Sequence, residues 1–148
     1  MRTIKVIALG NILMGDDGVA IEVAQYLMKN INYSNIEILI GETDVDYCIE
    51  NINEEDFLII LDATYMGHHV GELSLINLES IKEDTLLKES QHNLNLLDLL
   101  SIYNKNNKGY FIGIKVKDID YRIGLSKEVK YRFKGICEDI MALILYFA

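Results

Sequence analysis

Two adjacent carboxylates, Asp16 and Asp17, a third at Asp62 directly after an apolar run, and an imidazole at His92 are the side chains whose types could do chemistry together. Two carboxylate oxygens and one imidazole suit a borderline divalent ion such as nickel, zinc, cobalt or iron, and they leave coordination positions open for a substrate. The three positions lie far apart in the chain and no HExxH pair is present, so only a fold that gathers them makes a site.

Each of these residues has a plainer reading. Asp16-Asp17 at a helix start suits capping and dipole neutralisation, although only one of the two is needed for that. Asp62 could cap a turn, yet a carboxylate directly after a covered strand must be solvated, paired or ligated. His92 could equally bond to backbone at a helix start. His68 and His69 follow the same apolar run as Asp62 and compete for the ligand role, from what reads as a solvated turn. Other chemistries fare worse. There is no GxSxG elbow, and Cys48 and Cys137 lack a neighbouring His or a CxxC spacing, so both read as reduced, partly buried thiols. The Gly10-to-Gly18 loop lacks GxGxxG and carries carboxylates that would oppose a pyrophosphate, which excludes a dinucleotide cofactor.

The elements that must position these residues follow from periodicity. Residues 4–9 (IKVIAL) form a continuous apolar run closed by Gly10, as expected of a buried parallel strand, and residues 18–28 repeat apolar side chains at helical spacing. A second strand spans 36–40 and a short helix 44–52. The run 57–61 (FLIIL) is the most apolar in the chain and reads as a central strand, with Asp62 just beyond it. Residues 71–78 alternate, which marks a half-buried strand and suggests an antiparallel edge; 79–91 read as irregular. His92 opens a Leu-rich helix, 110–114 make another strand, and Ser126 caps a long helix to about Tyr146. The order predicts an α/β fold: a three-layer sandwich with a mostly parallel twisted sheet of about five strands and helices on both faces. In such a sheet, ligands bind beyond the carboxyl ends of the strands, where Asp17, Asp62 and His92 all fall.

Length and charge narrow the partners. A chain of 148 residues, half of them hydrophobic, is the size of a single domain, 1–148. Residues 1–74 carry 13 acidic and 3 basic side chains, which disfavours nucleic acid. No apolar run reaches the roughly 18–20 residues that span a bilayer, and the N-terminus does not read as a signal segment, so a cytoplasmic protein without a membrane partner is expected.

These residues also carry a resemblance. GNILMGDDGVA (10–20) resembles the N-terminal motif of the hydrogenase maturation endopeptidases, roughly G-N-x-L-x-x-D-(D/E)-G-x-G. LIILDATYMGHHVGEL (58–73) is similar to that family's apolar strand ending in D-A with its return strand. Ser90–Leu94 resembles its His-containing helix start, and GIKVKDIDYRIGLSKEV (113–129) its closing strand and G-L-S turn. Gly41 and Thr43 match part of that family's G-x-T turn after the second strand, which the resemblance implies lines the same cleft. Ala20 departs from the usual glycine, and Gln91 and Asn93 from the usual surroundings of the histidine.

The resemblance implies an endopeptidase that removes a C-terminal peptide from the nickel-loaded precursor of a nickel–iron hydrogenase large subunit. It implies Asp17, Asp62 and His92 as metal-binding residues. The nickel would be carried by the precursor, with no organic cofactor, and the protein would act as a monomer or weak oligomer. The catalytic group stays unassigned between Asp16, Asp17 and a metal-activated water. A non-hydrolytic nickel-binding or sensing accessory protein would use the same three residues.

Overall fold

In the computed structural model, which describes residues 2–83, 96, 98, 100–103 and 105–148, five strands form one sheet. They are β1 (Ile4–Leu9), β2 (Ile36–Glu42), β3 (Phe57–Thr64), β4 (Leu73–Asn77) and β5 (Gly109–Lys115), in the spatial order β2-β1-β3-β5-β4. β1 pairs in parallel with β2 and β3, and β3 with β5. Only β4 runs antiparallel, on the edge beside β5, as its alternating pattern predicts.

Continuous apolar runs become doubly covered strands because successive side chains point to opposite faces. Every residue of β1 and β3 is buried. Ile4, Val6, Ala8, Ile59 and Leu61 face one layer, where they pack with Val23 and Leu27 of helix α1 (Val19–Asn30) and with Val129, Ile136, Ile140 and Ile144 of the C-terminal helix α3 (Lys127–Phe147). Ile7, Leu9, Leu58 and Ile60 face the other, against Cys48 and Ile49 of α2 (Val45–Glu50) and against Leu96 and Leu100. Helices therefore cover both faces, and the expected α/β sandwich is the observed one.

The expected boundaries shift in two places that matter. β3 does not stop before Asp62: it runs to Thr64, with Asp62, Ala63 and Thr64 in register with Gly113, Ile114 and Lys115 of β5. Backbone pairing carries the strand past the point where its apolar composition ends. The segment after β4 is not wholly irregular, since Leu78–Glu83 form a 3-10 turn. Leu96, Asp98 and Leu100–Ile102 are helical as expected, whereas the start of that helix, including His92, lies outside the described residues.

After β1 the chain crosses through α1 to β2 on one side; after β2 it crosses through α2 to β3 on the other. β1 and β3 are therefore the neighbouring strands from which connections diverge, and the crevice beyond their carboxyl ends is the place this topology reserves for a ligand.

Candidate active site

The loop that leaves β1 is folded back tightly. Gly10 has φ of +147°, and a Cβ there would sit 2.1 Å from the backbone oxygen of Asp17, so only glycine lets the two segments touch. The amide of Asn11 donates to Asp17 Oδ2 at 3.0 Å, and a 3-10 turn over Gly15–Gly18 then leads into α1. That turn packs on β3. Asp17 is 6% exposed and Asp62 fully buried, each beside the carboxyl end of one of the two diverging strands. The amide of Ala63 donates to Asp62 Oδ1 at 2.8 Å, and both aspartates have further interactions. The structure thus places two of the three sequence-selected residues toward the carboxyl ends of the neighbouring strands β1 and β3. His92 lies outside the described residues; among those, no group of three His, Cys, Asp or Glu side chains is arranged to hold a metal.

Asp16 does something different from its neighbour. It is fully buried, and its oxygens accept from the Ser126 amide at 2.6 Å, the Ser126 hydroxyl at 2.8 Å, the Lys117 amide at 3.0 Å and the Asp118 amide at 3.3 Å. Arg122 Nη2 lies 3.9 Å away. The carboxylate therefore joins the loop after β1 to the connection between β5 and α3. The Arg122 carbonyl accepts from the Gly15 amide, and the Arg122 amide donates to the Leu13 carbonyl, so backbone bonds reinforce the same join. Ser126 still caps α3 by accepting from the Val129 amide, as its position predicts.

Tyr65, read from the sequence as part of a polar turn, stands one residue beyond β3 at the same crevice. Burial first, and then the carboxylates of Asp118, Asp120 and Asp17, raise its phenol above the ordinary value of 10.0. No local pattern signals this proximity, because the three carboxylates come from two distant loops. His68 and His69 are exposed in the turn before β4, as expected. Thr43 and Glu42, with Gly10, Asn11, Ile12 and Leu13, line an open cleft of about 260 Å³ beside Asp17. Gly41 packs instead behind them, against Cys48. Both cysteines are free and buried, and burial pushes Cys48 up to about 11 and Cys137 to about 12, which removes them as nucleophiles.

Chemically, buried carboxylates at the carboxyl ends of parallel strands can ligate a cation or accept a proton from an attacking water. Known proteins sharpen this. A Methanocaldococcus jannaschii protein, whose name provisionally assigns it to the hydrogenase maturation proteases, is 30% identical over 156 residues, covering 97% of this chain and 89% of the relative. The structure of the NiFe hydrogenase maturation protease HybD from Thermococcus kodakarensis is similar with a TM-score of 0.77 at 29% identity, over 97% of this chain and 99% of that one. The hydrogenase maturating endopeptidase HybD from Escherichia coli superposes with a TM-score of 0.80 over 100% of this chain and 94% of that one, and at 23% identity it speaks for the fold alone. Residues 21–143 match the family described as hydrogenase maturation protease, HycI. With that match across most of its length, the chain belongs to the hydrogenase maturation proteases, hydrolases of the peptide bond.

Proposed function

We propose that this protein removes a C-terminal peptide from the nickel-loaded precursor of a nickel–iron hydrogenase large subunit, and that it reads the nickel through Asp17, Asp62 and His92. The observation that carries this reading is the pair of buried carboxylates, Asp17 and Asp62, beside the diverging strands β1 and β3. A carboxylate held by backbone donors keeps lone pairs that can ligate a cation, and a cation brought by the substrate reaches them only when the substrate is ready. The metal is the precursor's cargo; the protein needs no resident organic cofactor.

Hydrolysis consists of water attack at the scissile carbonyl carbon, rupture of the C–N bond and transfer of a proton to the departing amine. Asp17, anchored by the Asn11 amide, is our candidate to ligate the metal or to accept a proton. Asp16, with its oxygens committed to Ser126, Lys117 and Asp118, holds the loop in place. Among the described residues no helix is long and apolar enough to cross a membrane, and we read the protein as cytoplasmic, acting on its precursor as a monomer or weak oligomer.

The test is incubation of purified precursor, with and without nickel, followed by mass spectrometry of the large subunit. Loss of the C-terminal peptide from the nickel-loaded form alone, by the wild type and not by Asp17→Asn, is expected. Binding without cleavage would make the protein an accessory factor instead, and equal cleavage of metal-free precursor would end the nickel-reading claim.

A further inference from the structure

The cleft beside Asp17 contains a local departure from regular structure. Along β2 the register with β1 breaks: Ala8 pairs with Ile40, but Leu9 pairs with Glu42, so Gly41 is an extra residue in the strand. Such a bulge re-aims the residues that follow it. Gly41 can occupy this position because a Cβ there would fall 2.3 Å from Cys48 Sγ. Glu42 then takes φ of 52°, the one non-glycine residue with positive φ among those described. Its backbone is held as well, since its carbonyl accepts from the Gly10 amide at 3.0 Å. An unbranched acidic side chain gains nothing from a left-handed backbone that glycine would adopt without strain.

Glu42 is exposed and lines the cleft, and its carboxylate makes no ion pair or hydrogen bond with any described residue. On the same cleft stand Ile12 and Leu13, 47% and 56% exposed, and Thr43. In the adjoining connection Arg122 is turned to Asp118 at 3.3 Å and to Asp16, and neither it nor the exposed Lys117 pairs with Glu42. Exposed apolar side chains on one cleft with a carboxylate that pairs with no described cation match a side chain with an aliphatic stem and a positive head.

We infer that Glu42 is a specificity-determining residue that receives a Lys or Arg side chain of the precursor's peptide segment while Ile12 and Leu13 cover its stem. The inference rests on the peptidase reading above and adds a subsite distinct from Asp17, Asp62 and His92.

The experiment compares the wild type with Glu42→Gln on nickel-loaded precursor, and on precursors in which each Lys or Arg near the cleaved bond is changed in turn to Gln. Glu42→Gln is expected to lose about fivefold in kcat/KM, carried by KM, as the loss of one solvent-accessible ion pair predicts. One precursor change should produce the same loss, and combining the two should add nothing. Glu42→Lys should be rescued by Glu at that same precursor position. Glu42→Gly, which suits the backbone, should keep or raise the urea midpoint while showing the KM defect of Glu42→Gln, separating recognition from folding. A wild-type KM in Glu42→Gln, or additive losses at every basic position, overturns the inference while leaving the peptidase reading intact. Failure of the wild type to cut any precursor overturns that reading, and the inference with it.

Discussion

Replacing Asp16 by alanine should cost stability on a scale set by the groups it leaves behind. The carboxylate accepts from four donors. The two from Ser126 are buried, so their loss strands an amide and a hydroxyl without water, at about 1–3 kcal/mol each. The Lys117 and Asp118 amides are only partly buried and can turn to solvent. Removing the shared acceptor of such a network therefore costs about 3–5 kcal/mol, a large share of the roughly 5–15 kcal/mol that holds a domain. Ser126→Ala should cost less, about 1–2 kcal/mol, because the Ser126 amide still reaches Asp16 and only the hydroxyl bond and the cap on Val129 are lost. Urea unfolding followed by circular dichroism measures both; the midpoint should fall with an unchanged slope, and melting of Asp16→Ala should drop by on the order of 10 °C. An Asp16→Ala protein within about 1 kcal/mol of wild type would refute the assignment of this carboxylate as the join between the loop after β1 and the entry to α3.

Gly10→Ala should destabilise by about 2–4 kcal/mol and abolish processing, since the new Cβ would collide with the Asp17 carbonyl; a variant with normal urea midpoint and activity would contradict the close approach. The thiols of Cys48 and Cys137 should resist alkylation at pH 8 in the native protein and react on unfolding, as a thiol-titration time course would show. Their native values, near 11 and 12, lie above the ordinary 9.0, chiefly through burial. The unfolded chain therefore releases these protons first, and stability should fall as pH rises from about 9 to 11. A flat urea midpoint over that window would show that the thiols are solvated.

Much of the scaffold is legible in residue order. The all-buried runs of β1 and β3, the alternation in β4 and the serine before α3 each report a local requirement, and each forms as its pattern predicts. What the pattern misses depends on distant pairing. β3 outlasts its apolar composition because β5 continues to bond to it through Thr64, so Asp62 sits inside a strand rather than after one. The same holds at the site. Periodicity marks Asp16-Asp17 as a pair, but only the packing divides their work, because the partners of Asp16 lie 101 to 110 residues away. The bulge that turns Glu42 toward the cleft is equally silent in sequence, where Gly41-Glu42 reads as the end of a strand.

We propose above that Asp17, Asp62 and His92 form one metal-reading set. Anomalous diffraction from a crystal soaked with nickel or cadmium tests it most directly. A single peak is expected within coordination distance of an oxygen of Asp17, an oxygen of Asp62 and a ring nitrogen of His92, with positions left open for a substrate. A peak held by His68 or His69, or the absence of any peak at the two buried carboxylates, would contradict it.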